Sequence, residues 1–161
     1  MSFLITLASC GHSKTVPQDT IVLKTTALQN GKETLALLKN KRIDTATVNG
    51  YLTYQIKDNP TTDVVQCIYE KEVDKGQVDG GLKEEVLFEI PKGDLALALT
   101  DSDLQKTKML FGRYCFCRGQ NGISKITAGN LNLTRQNETV LLALEFHTKP
   151  IPQAFDKISS K

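Results

Sequence analysis

From Thr20 onward, apolar and polar residues alternate with period two over most of the chain, the mark of half-buried β-strands. Thr20–Lys24 is rich in β-branched residues. Leu52, Tyr54 and Ile56 alternate with Tyr51, Thr53 and Gln55. Asp58-Asn59-Pro60 then predicts a turn that returns Asp63–Lys71 alongside them, with Val65, Cys67 and Tyr69 on one face. Val86, Phe88 and Ile90 alternate with Glu85, Leu87 and Glu89 until Pro91 stops the strand. Leu95, Leu97 and Leu99 alternate with Ala96 and Ala98, and Lys108–Cys117 runs as a strand into a tight turn at Gly119–Gly122. Ile123–Thr127, Leu131/Leu133 and Val140–Phe146 follow, the last two read as a second hairpin. Asp74–Gly81 is a polar, glycine-rich loop, and Asp101–Lys106 reads as a capped turn or one short helix. Asn30-Gly31 carries a hairpin signal, whereas Glu33–Lys39 contains good helix formers, so 28–40 reads as either. The pattern predicts a mainly β protein, an antiparallel β-sandwich or small barrel of about eight to ten strands with at most one or two short helices.

Composition narrows this little. The chain has 161 residues, 40% hydrophobic and 24% charged, enough for one core. That core is assigned to a single domain over 20–150, with 151–161 as a C-terminal tail after Pro150-Ile151-Pro152. The 20 basic and 18 acidic residues interleave, which argues against a nucleic-acid partner. Four Tyr, six Phe and no Trp argue against a stacking platform for sugars or bases. No apolar run approaches the roughly 20 residues that span a bilayer.

The first ten residues change the picture more. Phe3–Ala8 is apolar and leads into Leu7-Ala8-Ser9-Cys10, followed by polar Gly11-His12-Ser13-Lys14. This resembles a bacterial lipobox, in which the cysteine takes a diacylglycerol thioether and becomes the new N-terminus. The resemblance implies a residual signal peptide over 1–9, lipidation at Cys10, a tether over 10–19, and membrane attachment through an acyl anchor. No Lys or Arg precedes Cys10, so the natural start is expected upstream. A lipobox followed by a small β-domain is similar to small envelope lipoproteins of the Bacteroidota. Gly11 after the cysteine resembles outer-membrane sorting, and Ser13-Lys14 lacks the acidic residues of surface-exposed relatives, which implies a periplasm-facing position.

Three cysteines then remain, Cys67, Cys115 and Cys117, in a compartment where disulfides persist. Along an extended strand Cys115 and Cys117 face one way with Cα atoms ~6.6 Å apart, so bridging them needs a local bend. A cross-strand bridge from Cys67 to one of them is geometrically easier and is the expectation. The alternative is a soft-metal or thiol-redox site using Cys115, Cys117, Cys67 and His147, suited to copper or zinc. Arg113 and Arg118 flank the pair and are candidates for binding an anionic group. His147 alternates with Leu144 and Phe146 and is read as solvated. Glu84, Glu85 and Glu89 are read as a solvated strand face rather than paired carboxylates.

No phosphate loop, His-Glu-x-x-His or Gly-x-Ser-x-Gly appears, and the chain has two histidines. The expectation is therefore a non-enzymatic, cofactor-free, lipid-anchored envelope domain with a binding or structural role and a protein partner. The alternatives are a periplasmic thiol-redox or copper protein, and an inhibitor or immunity protein presenting loop 74–81 or 118–122.

Overall fold

The computed structural model describes residues 20–28, 30–73, 76, 80–149 and 151–160. The lipobox with Cys10, the tether through residue 19 and most of the 74–81 loop lie outside them. Among the described residues the chain forms twelve strands and one short 3-10 helix in antiparallel sheets, a sandwich rather than a closed barrel.

The first sheet has six strands in the order β1 (Thr20–Leu28), β2 (Gly31–Leu38), β5 (Thr62–Lys71), β6 (Leu82–Pro91), β8 (Leu110–Cys115) and β9 (Gly122–Lys125). The second has β12 (Lys157–Ser159), β11 (Thr139–Phe146), β10 (Gly129–Gln136) and β7 (Leu95–Thr100). A separate hairpin of β3 (Lys41–Val48) and β4 (Tyr51–Asp58) covers the outer face of the first sheet. The result is three layers with two unequal cores. Leu35, Val65, Val86, Phe88, Phe111, Leu131, Leu144 and Phe146 fill the space between the sheets. Ile43, Val64, Leu87 and Leu110 fill the space under the hairpin. The 3-10 helix Asp101–Thr107 carries the chain from β7 to β8, and Gln105 Nε2 donates to the Met109 and Ile126 carbonyls at 2.7 and 2.8 Å.

Three segments depart from the sequence reading. Residues 31–38 are a strand, because Leu35 and Leu37 are buried between the sheets and that burial outweighs helix propensity. Tyr51–Asp58 pairs with the preceding Lys41–Val48 and not with Asp63–Lys71. The signal for this hairpin is Asn49-Gly50, both at positive φ (51° and 82°) as a type I′ turn requires.

The third is the C-terminus, which is no tail. Lys157–Ser159 pairs with β11, Ile158 is buried, and Phe155 packs edge-on against Phe146 at 5.6 Å between centroids. Just before it, Ala154 N–H donates to the Glu84 carboxylate at 2.7 Å, and the Pro152 carbonyl accepts from Arg113. Ending the chain after Pro152 should therefore cost at least about 3 kcal/mol, from lost apolar burial and a buried carboxylate stripped of a donor. Urea unfolding of the shortened chain measures this, and unchanged stability would refute the role given to these residues.

Candidate functional site

Strand β6 lies at the middle of all three layers, so Glu84 and Glu85 are buried and Glu89 is largely covered, and the three do not form a solvated face. Glu84 faces the inter-sheet core. It is ion-paired with Arg113 on the neighbouring strand, and burial nonetheless pushes its carboxyl above the usual range. Glu85 and Glu89 face the hairpin. Glu85 Oε1 accepts from Tyr54 Oη at 2.5 Å and Tyr114 Oη at 2.6 Å, while Oε2 accepts from Gln66 at 3.4 Å and lies 3.6 Å from Lys83 Nζ. Glu89 accepts from the Ile43 N–H and from Lys108 Nζ, the latter at 2.9 Å. These carboxylates fix the hairpin to the sheet. Among the described residues, no group of three His, Cys, Asp or Glu side chains is placed to hold a metal ion.

Gly112 makes the tyrosine contact possible. A Cβ there would stand 3.0 Å from Tyr114 Oη and 3.1 Å from Glu85 Oε1. Both phenols are pushed far above their ordinary value of 10.0, first by burial and then by the Glu85 carboxylate they donate to. Their native forms thus hold protons that the unfolded chain releases above about pH 10, so this contribution is present at neutral pH and lost as pH rises. In a titration followed by phenolate absorbance, Tyr54 and Tyr114 should ionise only with unfolding. Tyr54→Phe and Tyr114→Phe should each flatten the alkaline fall in stability, and an unchanged slope in both would sink this account.

The chemistry available at the surface collects at the far end of β8. The strand breaks at Phe116, and this bend brings the Cα atoms of Cys115 and Cys117 to 5.2 Å, joined as a disulfide. The Gln120 N–H then bonds the Cys117 carbonyl at 3.2 Å, closing a turn whose third residue, Gly119, sits at φ 74°. The side chain of Asn121 folds back over the pair. Its Oδ1 accepts the Cys115 backbone N–H at 2.7 Å and stands 3.0 Å from Cys115 Sγ and 4.0 Å from Cys117 Sγ. Phe116 is 83% exposed. Cys115, Phe116, Cys117, Arg118, Gly119 and Asn121 line a recess of about 300 Å³.

The expected bridge to Cys67 is therefore corrected. Cys67 lies on β5 opposite Val86 and Cys115 on β8 opposite Leu82, so one strand and four residues separate them. That spacing is about 16 Å, far beyond disulfide reach. Cys67 is a buried free thiol whose pKa burial pushes up, which makes it inert. The four residues of the metal alternative are not brought together either: Cys67 is in the core and His147 is exposed beyond the end of β11, apart from the Cys115–Cys117 pair. Arg113 is committed to Glu84 and the Pro152 carbonyl, whereas Arg118 is exposed beside the disulfide.

The Cys115–Cys117 bond closes a loop of only three residues. On the chain-entropy model it adds about 1.6 kcal/mol, against about 4 for a loop of fifty residues, so stability is a weak reason for it. Asn121 is the residue that sequence reasoning missed here, its signal being the Asn121-Gly122 dipeptide that follows shortly after the thiol pair. A second concave surface lies on the outer face of the four-stranded sheet, where Ala96, Ala98, Asn132, Thr134, Leu141 and Ala143 border a recess of about 380 Å³ that no ionisable group lines. No family model matches the chain, and no curated protein or solved structure matches it.

Proposed function

We propose that the chain is a lipid-anchored, non-enzymatic β-domain of a bacterial envelope, held on the periplasmic side of the outer membrane by acyl chains on Cys10. In this reading it binds a protein partner at the Cys115–Gly122 rim. The anchor is supported by Leu7-Ala8-Ser9-Cys10 at the end of an apolar run.

The direction of presentation carries the rest. Thr20 pairs through Leu38 and Val64 to Glu89, at one end of the six-stranded sheet. Cys115 pairs with Leu82 at the other end, seven residues along β6, or about 24 Å away. A chain tethered ahead of Thr20 thus turns its disulfide rim from its point of attachment. The β3–β4 hairpin runs the same way, with Ile43 at Glu89 and Tyr54 at Glu85, so its tip is directed to the rim end as well. That tip exposes Val48 and Tyr51. The buried charges are spent on holding layers together, which leaves the exposed aromatics and Arg118 of this end as the surface suited to a partner.

Fractionation of cells expressing the full-length gene tests the anchor. The wild type should partition with membranes and its mature N-terminal peptide should carry acyl mass, and Cys10→Ala should move the protein to the soluble periplasmic fraction. A wild-type protein that is already soluble, with Cys10 unmodified, would overturn the reading.

A further inference from the structure

Independently of the anchor, we propose that the Cys115–Cys117 disulfide is a thiol–disulfide exchange site that accepts two electrons from a protein dithiol. Phe116 serves as its apolar contact, and Asn121 accepts a hydrogen bond from the thiol that reduction creates at Cys115. The bond lies in an open recess at a strand end, where two neighbouring sulfurs can be approached without moving either sheet.

The placement of Asn121 carries the proposal. A disulfide sulfur has no proton, so in the oxidised chain the 3.0 Å approach of Asn121 Oδ1 to Cys115 Sγ is not a hydrogen bond. Reduction turns the same contact into an S–H donor facing a carbonyl acceptor already fixed by the Cys115 backbone N–H. Cys117 is farther from that oxygen, at 4.0 Å, and is followed by the exposed Arg118. The surroundings therefore divide the two sulfurs: Cys115 is held as a thiol, and Cys117 is the one whose thiolate is favoured.

The exchange follows from this division. A thiolate of the partner attacks Cys117 Sγ, a new S–S bond forms between the proteins, and the Cys115–Cys117 bond breaks. Cys115 leaves with the electron pair and takes a proton from solvent, and the resulting S–H donates a hydrogen bond to Asn121 Oδ1. The partner's second thiol, deprotonated, then attacks its own sulfur in the mixed disulfide, and Cys117 leaves as thiolate beside Arg118. The partner is oxidised to a disulfide and this chain is reduced to a dithiol. The two protons of the partner's thiols go to solvent, from which Cys115 takes one.

Phe116 selects the class of reductant. Its exposed ring stands between the two cysteines in sequence and offers contact area to a folded protein that a small thiol cannot use. Cys67 gives an internal control, since it becomes reactive only if the fold opens.

The oxidised full chain is incubated with reduced thioredoxin, glutathione or dithiothreitol, and exposed thiols are mass-tagged and located. We expect labels at Cys115 and Cys117 with Cys67 unlabelled. Phe116→Ser should slow reduction by thioredoxin about tenfold and leave the dithiothreitol rate unchanged. The free Cys117 of Cys115→Ser should alkylate about tenfold faster than the free Cys115 of Cys117→Ser, and Asn121→Leu should narrow that gap. Labelling of the pair only together with Cys67 makes the bond a structural one opened by unfolding, and overturns the proposal. Equal slowing, or none, with both reductants in Phe116→Ser removes a protein dithiol as the substrate. None of these outcomes depends on whether Cys10 is acylated.

Discussion

The architecture depends on one constraint, the covering of three carboxylates, two of them fully buried, on a strand packed from both sides. Strand β6 has a sheet packed on one face and a hairpin on the other, so its alternation of Glu and apolar residues cannot mean inside and outside. Each glutamate needs donors wherever it points, because a buried carboxylate without them destabilises by several kcal/mol. The donors come from elements that the glutamates thereby fix in place. Tyr54 and the Ile43 N–H bring the hairpin, Arg113 and Tyr114 bring the neighbouring strand, and the Ala154 N–H brings the C-terminal segment. Apolar burial drives the layers together, and these bonds determine the position in which each layer sits.

The same logic closes the inter-sheet core at its two ends. At the rim end the closure is Glu84 with Arg113. At the opposite end Arg135 of the second sheet reaches Asp63 of the first at 2.7 Å, and Asp63 Oδ1 accepts the Asn40 N–H at 2.8 Å. The Asp63–Arg135 contact is close in distance but is not aligned as a hydrogen bond at Oδ2, so charge contributes more to it than direction does. Arg135 also donates to the Asn137 and Pro91 carbonyls, at 3.1 and 3.5 Å, at the turns that flank the second sheet. Buried pairs of this kind add modest net stability against an apolar alternative, but removing one partner is costly. They act here as register pins between two sheets whose interdigitating Leu and Val side chains would tolerate small slips.

Strand periodicity was legible in the sequence because most strands have one wet face. The sandwich class, the Val86–Ile90 and Leu95–Leu99 core faces, the 3-10 segment and the β10–β11 hairpin all follow from it. The failures share a physical cause: period two reports that a residue changes face, not what the far face meets. Glu85 and Glu89 read as solvated because nothing in the residues around them announces the β3–β4 hairpin that packs above them. That hairpin was itself hidden by the charged start of β3, Lys41-Arg42, which belongs to a strand with one face on a very small core. The C-terminal segment was hidden by Pro150 and Pro152, which read in the sequence as the end of the sheet, although Lys157–Ser159 pairs with β11 beyond them.

The thiols show the same limit from another side. Their number sets how many bridges are possible, but depth and register decide which one forms. Cys67 and Cys115 share the inner face of one sheet, yet register places them about 16 Å apart, and no motion short of unfolding closes that distance. Cys115 and Cys117 meet because the strand stops at Phe116, and it stops there because the chain must turn at Gly119 to pair β9 with β8. The bend that makes the bridge possible therefore also carries the aromatic ring outward and brings Asn121 back over the sulfur. One backbone decision at the edge of the sheet creates the exposed disulfide, its apolar neighbour and its polar acceptor together. None of the three stabilises the interior, where the Glu84–Arg113 pair two residues earlier has already closed the core.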